Sequence, residues 1–142
     1  MKKLNNEIVI SKAKSIGFDL IGFAKAVELS EEIEKLNIWL EKNFQAGMNY
    51  MERNIHKRKN PKEILPDAKS IISLGLIYNT PFYHSDSKEY GKISRYAWGK
   101  DYHLVIWEKL EQLENELKSI DSDFKSISYV DTGPVMDKVW AV

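Results

Sequence analysis

The apolar stretch at residues 69–78 (KSIISLGLIY) is the feature that most constrains the fold. It is nearly continuous, and Pro66 and Pro81 bound it on either side. A short apolar run between breakers of this kind is typical of a strand that is buried on both faces. We therefore predict a strand in the centre of a sheet, with helices packed against it.

Helical and strand-like patterns alternate along the rest of the chain. Apolar side chains recur at helical spacing over residues 5–16, from Ile33 to Phe44, and after Asp101, which can cap a long helix. Gly17 stands where the first helix is expected to stop. Short apolar segments between the helices, the first of them at residues 18–24, predict further strands. The alternation favours the α/β class, with α+β as the alternative. The predicted architecture is a central mixed sheet with flanking helices, and the sheet includes residues 70–78, 92–98 and 124–130.

Composition excludes several classes of site. The chain has no cysteine, so it cannot form a disulfide, a thiolate-bound zinc site or a cysteine-ligated iron–sulfur cluster. Its three histidines, His56, His84 and His103, are far apart, which argues against a histidine metal site. The formal net charge is zero, so a basic field over the whole surface is excluded, although a local patch is not.

No apolar run has transmembrane length and no signal-peptide pattern opens the sequence, so we expect a cytoplasmic protein without a membrane partner.

Residues 95–103 (RYAWGKDYH) form the densest cluster of chemically versatile side chains. We predict that a strand, a glycine turn and a helix start lie within this segment. Ligands bind at the ends of strands in α/β sheets, and aromatic faces with flanking donors suit a large flat ligand such as a tetrapyrrole or a flavin. From the pattern alone, a plainer interpretation is favoured, in which the aromatic rings are core and the charges lie in a solvated turn.

Asp131 is the second candidate. It follows a predicted strand and precedes Pro134, which is tolerated at the first position of a helix. A buried carboxylic acid at such a turn can keep its proton at neutral pH and act as a general acid. From the residues alone, a structural role for Asp131 in capping the turn is favoured.

Two further segments have plainer explanations. The basic run 53–62 permits contact with RNA phosphate, but charge runs are usually solvated loops. Trp39, Phe44, Met48 and Tyr50 have spacings that favour core packing over a cofactor site.

Taken in order, these segments resemble the N-terminal region of the epoxyqueuosine reductase family. The resemblance covers residues 5–142, and the block at 95–103 is its most specific part. The matching blocks are Gly47-Met48-Asn49-Tyr50-Met51, Arg58-Lys59-Asn60-Pro61, residues 65–74 (LPDAKSIISL), residues 94–103 (SRYAWGKDYH) and residues 130–135 (VDTGPV).

The resemblance implies an oxidoreductase that reduces epoxyqueuosine in tRNA to queuosine. It also implies cobalamin and two [4Fe–4S] clusters as cofactors of the full-length protein. Asp131 matches the aspartate that is proposed as proton donor in the family. The cofactor-binding residues implied for the cobalamin and substrate cavity are Arg95, Tyr96, Asp101, Tyr102 and His103.

The resemblance also predicts the domain organisation. Residues 1–142 would be the N-terminal part of a cobalamin- and substrate-binding domain, an incomplete one, and a ferredoxin-like iron–sulfur domain would lie outside this chain. Alone, the chain would be inactive, and a monomer is favoured. One departure is Asp137-Lys138, where the family pattern usually has a Glu-Arg pair, and lysine cannot make the bidentate contacts of arginine.

Two alternatives stay open at this point. The chain could be a stand-alone module that binds cobalamin or another flat cofactor. It could also belong to a corrinoid iron–sulfur reductase whose substrate is not tRNA.

Overall fold

The structure, a computed structural model, describes residues 4–141. Regular secondary structure alternates between helices and two strands. In chain order the elements are α1 (Asn6–Ile16), β1 (Leu20–Lys25), α2 (Ser30–Glu41), α3 (Ile55–Lys59), β2 (Ser70–Gly75), α4 (Tyr102–Ile120) and α5 (Asp137–Trp140), with short 3-10 helices at Asn49–Glu52, Pro61–Glu63 and Arg95–Ala97.

The ends of α1 follow from its flanking residues. The Asn5 side chain accepts a hydrogen bond from the Ile8 amide at 2.9 Å, which satisfies one of the free N–H groups at the helix start. Gly17 adopts a left-handed φ of 94° and its N–H donates to carbonyl groups of the last turn. Glycine takes this conformation without steric penalty, so the predicted helix stop at Gly17 is confirmed.

The chain forms two compact units, and the first comprises residues 4–20 and 75–124. In it α1 packs against α4, and Ala13, Leu113 and Leu117 are buried. The Lys109 Nζ atom donates to the carbonyl of Ile16 at 2.6 Å, which occupies a free acceptor at the end of α1. The predicted long helix after Asp101 is confirmed as α4.

The second unit comprises residues 21–74 and 125–141. It contains most of β1 and β2, which pair with each other in a two-stranded sheet. The Asp19 amide donates to the Gly75 carbonyl at 2.9 Å and the Ala26 amide donates to the Lys69 carbonyl at 3.1 Å, so the strands run antiparallel. The predicted strands at 18–24 and 69–78 are thus confirmed, although β2 is shorter than its apolar run.

Helices α2 and α3 lie together in the same unit. Ile33 and Leu36 are the buried residues of α2. The Leu29 amide donates to the Lys59 carbonyl at 2.9 Å, which joins the start of α2 to the end of α3.

The mixed α and β content that the sequence predicts is confirmed, but the predicted membership of the sheet is wrong. Residues 92–98 contain a 3-10 helix at Arg95–Ala97 instead of a strand, because the Ala97 and Trp98 amides bond back to Ser94 and Arg95. Residues 124–128 alternate between half-buried and exposed side chains, yet residues 124–130 pair with no strand among residues 4–141. Strand propensity yields a strand only where a neighbour completes the ladder.

The predicted position of β2 in the centre of a sheet is also wrong for the described chain. Its burial pattern is intermediate from Ile71 to Gly75, and β1 is its one ladder partner among the described residues. The last helix begins at Asp137 and not directly after Pro134, and Val142 lies outside the described residues. Every helix in residues 4–141 is too short or too polar to span a lipid bilayer.

Candidate functional site

Asp131 lies at the tip of a very tight turn in the second unit. The Thr132 amide donates to the Val130 carbonyl at 2.6 Å, so the turn spans three residues. Asp131, the central residue, has a φ of 55°, which is unusual for a residue other than glycine. Three-residue turns with a positive central φ are rare and strained, and such strain persists only where the surroundings fix it.

The flanks of this turn are fixed by packing. Val130 is buried with 5% of its surface exposed, and Gly133 is buried against the Tyr129 side chain. Asp131 itself is exposed, so the burial that the sequence argument invoked for its carboxyl is wrong in the described chain. Because Met136 is the N-cap of α5, Asp131 does not cap that helix.

Arg58 of α3 reaches the residues that follow this turn. Its Nη1 atom donates to the Val135 carbonyl at 3.2 Å. Its Nε atom is buried and has no hydrogen-bond partner within residues 4–141. Further along, the Ser73 hydroxyl donates to the Trp140 carbonyl at 2.9 Å. These contacts join the segment that carries Asp131 to α3 and to β2.

Three charges interact around this segment. Burial of its carboxyl group is the main cause that raises the pKa of Asp137, although the residue as a whole is exposed. The backbone N–H of Asp137 lowers that pKa, the negative charge of Asp131 raises it, and the positive charge of Arg58 lowers it. The two carboxylates therefore repel each other, and Arg58 attracts the second one.

Residues 95–103 lie in the first unit. Within them Tyr96, Tyr102 and His103 form a chain of ring contacts, which we call the ring cluster. The Tyr96 and Tyr102 rings meet edge to face with centroids 5.9 Å apart. Tyr102 stacks on His103 at 4.1 Å. The His103 Nδ1 atom lies 2.8 Å from a carboxylate oxygen of Asp101. Four of the residues predicted for cofactor binding are thus brought together.

Asp101 also caps α4, as the sequence predicts. Its Oδ1 atom accepts from the His103 amide at 2.9 Å. This backbone bond, followed by the bond to the His103 ring, lowers the pKa of Asp101. Because Asp101 bonds Nδ1 of His103, the other ring nitrogen, Nε2, is the one left to meet a ligand.

Arg95, the fifth predicted residue, turns toward the preceding loop. Its Nη1 atom donates to the Asn79 side chain at 2.7 Å, and its guanidinium lies 5.8 Å from the centre of the Tyr83 ring. Trp98 donates from its indole N–H to the Ile93 carbonyl at 3.1 Å and meets the His84 ring edge to face. These contacts order the loop that borders the ring cluster.

The turn at Gly99 leaves room for a large ligand. Gly99 has a left-handed φ of 82°, and no atom lies within 4 Å of the place where a Cβ would stand. Tyr96 beside it is 53% exposed, so its ring is accessible. Open backbone next to accessible aromatic rings fits a flat cofactor such as the corrin of cobalamin. Within the described chain, no three His, Asp or Glu side chains are grouped to hold a metal ion.

Arg58 is not predicted as an individual site residue, because it lies in the basic run that was assigned to a solvated loop. Helical spacing offers a signal, since Arg58 follows the half-buried Ile55 by three residues and shares its face. Another prediction is wrong: Phe44, Met48 and Tyr50, favoured as core, are exposed.

One known protein family has a model that matches this chain. The model described as "Epoxyqueuosine reductase QueG, DUF1730" matches residues 58–132, which is more than half of the chain. The chain belongs to the epoxyqueuosine reductase family. The matched range contains the ring cluster and the strained turn at Asp131.

Curated epoxyqueuosine reductases match nearly the whole chain. The protein of Atelocyanobacterium thalassa is 40% identical over 137 residues, which is 95% of this chain and 44% of that protein. The protein of Cyclobacterium marinum is 38% identical over 138 residues, covering 97% of this chain and 44% of that protein. The chain thus spans less than half the length of these epoxyqueuosine reductases.

Solved epoxyqueuosine reductases share the fold. One structure holds an epoxyqueuosine-modified tRNA-Tyr stem loop; it has a TM-score of 0.79 and 38% identity over 95% of this chain and 36% of that chain. A second structure, from Bacillus subtilis, has its catalytic aspartate loop swung out of the active site. It gives a TM-score of 0.81 and 36% identity, with the same coverage of 95% and 36%.

Proposed function

We propose that the full-length protein carrying this chain reduces epoxyqueuosine in tRNA to queuosine. The observation that carries this proposal is the family match over residues 58–132, which includes both the ring cluster and Asp131. A solved relative bound to an epoxyqueuosine-modified tRNA stem loop supports tRNA as the substrate, in preference to the non-tRNA alternative.

Asp131 is the proposed proton donor of this reaction. Conversion of an epoxide to an alkene consumes two electrons and two protons and releases the oxygen as water. An acid that protonates the leaving oxygen stabilises the negative charge that develops there. The strained turn supports this role, because residues held at positive φ cluster at catalytic sites. The swung-out aspartate loop of the Bacillus subtilis relative supports a turn that moves during the catalytic cycle.

Cobalamin is the proposed working cofactor, and when bound it would supply the electrons. Tyr96, Tyr102 and His103 offer the rings and the free imidazole nitrogen that would contact it, with Asp101 orienting His103. Arg95 would order the bordering loop. The two [4Fe–4S] clusters need thiolates from outside residues 1–142, because this sequence contains no cysteine.

The remaining assignments accompany this proposal. A cytoplasmic location follows from a tRNA substrate, and a monomer is favoured. Residues 1–142 would belong to the cobalamin- and substrate-binding domain and would be inactive without the rest of the protein.

The activity test uses the full-length protein with cobalamin and clusters reconstituted under reducing, oxygen-free conditions. Epoxyqueuosine-containing tRNA is incubated with it, digested to nucleosides and analysed by mass spectrometry for queuosine. We expect product from the wild type, a loss of about 10²-fold or more in rate for Asp131→Asn, and wild-type turnover for Asp86→Asn, an exposed loop aspartate. Absence of queuosine with the wild type would refute the proposed function.

The cofactor test is a titration of hydroxocobalamin followed by its visible absorption bands. We expect saturable binding that Tyr96→Ala weakens and Tyr90→Ala leaves unchanged, because Tyr90 is a comparably exposed tyrosine outside the cluster. Equal binding by both variants would remove the ring cluster from the cofactor site. Saturable binding by the 142-residue chain would place the cofactor site largely within residues 1–142.

A further inference from the structure

Arg58 makes a hydrogen bond to a distant part of the chain. It is half-buried, and its Nη1 atom donates to the Val135 carbonyl at 3.2 Å across 77 positions of sequence. Arg53, in the same basic run, is exposed. Lys59 pairs with Glu28 at 3.4 Å on the surface. The Arg58 side chain therefore makes a contact within the fold and is not simply a solvated surface charge.

The contact falls on the segment that presents Asp131. Val130 anchors the start of that segment by burial, and the bond from Ser73 to the Trp140 carbonyl holds its end. Between these anchors the chain makes the strained turn at Asp131 and reaches Val135, where Arg58 binds. Without this bond, the residues between the two anchors would lose a cross-link to α3.

Charge and burial oppose free movement of the guanidinium. The positive charge of Arg58 attracts Asp137, which lies two residues beyond Val135. Its Nε atom is buried and has no hydrogen-bond partner in the described part of the chain. A buried N–H without an acceptor is unfavourable, so the contacts of the Nη1 atom and the charge must hold the side chain in place.

We infer that Arg58 is a positioning residue for the catalytic turn: its bond to the Val135 carbonyl keeps Asp131 in the orientation needed to deliver a proton. The inference rests on the proposed function of Asp131. Arg58 touches neither substrate nor cofactor in this role, and it acts through the backbone of the segment 131–137. Loss of the bond allows the turn to leave its position more often, and misplacement by about 1 Å is enough to slow a reaction about 10²-fold.

The first test measures the turn directly, by hydrogen exchange and mass spectrometry on the full-length protein. The Thr132 amide, bonded to the Val130 carbonyl at 2.6 Å, is the reporter. Arg58→Gln is expected to raise exchange in the peptide 129–137. It is expected to leave peptides of α1, α4 and β1 unchanged, which shows that both units are folded. Arg53→Gln, the same change at an exposed arginine, is expected to leave the peptide 129–137 unchanged. Equal exchange in wild type and Arg58→Gln would overturn the inference.

The second test separates positioning from folding and from binding. We expect Arg58→Gln to lower kcat for epoxyqueuosine-tRNA about 10²-fold while KM stays within about 3-fold, the pattern of an interaction needed only for the chemical step. Arg58→Lys keeps the charge near Asp137 and one donor, so it is expected to restore part of kcat. A KM effect alone, or no rescue by lysine together with wild-type exchange, would contradict positioning.

Asp131→Asn distinguishes a failure of the proposed proton donor from a failure of the positioning role of Arg58. If Asp131→Asn retains wild-type kcat, the proposed acid is wrong and the positioning role falls with it. If Asp131→Asn is inactive and Arg58→Gln retains wild-type kcat, the proposed function stands and only the role of Arg58 is refuted.

Discussion

Replacement of Gly133 by alanine tests the geometry of the turn at Asp131. A Cβ at Gly133 would overlap the Cδ1 and Cγ atoms of Tyr129 and would lie 2.9 Å from its Cβ. Carbon atoms in contact normally lie about 3.5–4.0 Å apart. Rotation of the tyrosine side chain about its Cα–Cβ bond relieves the first two overlaps but not the third, because the backbone fixes the Tyr129 Cβ. The backbone of the turn must therefore shift.

The size of the effect follows from two opposing contributions. Overpacking a buried site costs about 1–3 kcal/mol. Replacing glycine by alanine also restricts the unfolded chain, which stabilises the folded state by about 0.4–1 kcal/mol. We expect Gly133→Ala to lower the free energy of unfolding by about 1.3 kcal/mol, which is the difference between the midpoints of these two ranges.

The assay is urea unfolding of the protein followed by tryptophan fluorescence, with two controls. Gly47→Ala adds a methyl group where no atom lies within 4 Å, so it should be neutral or slightly stabilising. The double variant Gly133→Ala, Tyr129→Ala loses the ring overlap but keeps the short contact between Cβ atoms, so partial relief is expected. If Gly133→Ala is as stable as Gly47→Ala, the close packing of Gly133 on Tyr129 is wrong.

Three further changes test other parts of the structure. Leu117 of α4 is only 1% exposed, so Leu117→Ala should lower the free energy of unfolding by about 2–5 kcal/mol. Leu104, also on α4, is 59% exposed, so Leu104→Ala should change the free energy of unfolding little. Urea unfolding of the two variants compares these effects. Asp131→Gly should be more stable than Asp131→Ala by about 1 kcal/mol, because the positive φ of 55° penalises a Cβ; equal thermal stability would contradict the strained turn. The pKa of Asp137 is raised in the folded chain above its ordinary value of 3.8. Between these two pKa values the folded state binds more protons than the unfolded state does. The free energy of unfolding should therefore fall as the pH rises through this window. Asp137→Asn should flatten that part of the pH profile, and an unchanged profile would show that Asp137 does not titrate there.

The sequence was sufficient where one short segment carries its own hydrogen bonds. The stop of α1 at Gly17, the cap of α4 at Asp101 and the glycine turn at Gly99 each depend on residues within about four positions of one another. The ring cluster was predictable for the same reason, because Tyr96, Tyr102 and His103 lie in one short segment that contains one turn and one helix start.

Sequence patterns failed where the outcome depends on distant partners. Residues 92–98 and 124–130 have strand-like composition, but a strand exists only if another strand accepts its hydrogen bonds, and β1 and β2 are the two that pair in the described chain. The amino-acid composition of these two segments does not show whether a partner strand is available to them.

What the sequence by itself determined is the mixed helix and strand content, the limits of α1 and α4, and, through five ordered blocks, the family. Tertiary structure alone decided that Arg58 turns inward to the Val135 carbonyl. It also decided that Asp131 takes a left-handed conformation between buried Val130 and Gly133. The physical reason is the range of the forces involved. Helix caps and turns are satisfied locally, whereas a bond across 77 residues and a strained φ persist only because the packed chain holds both ends in place.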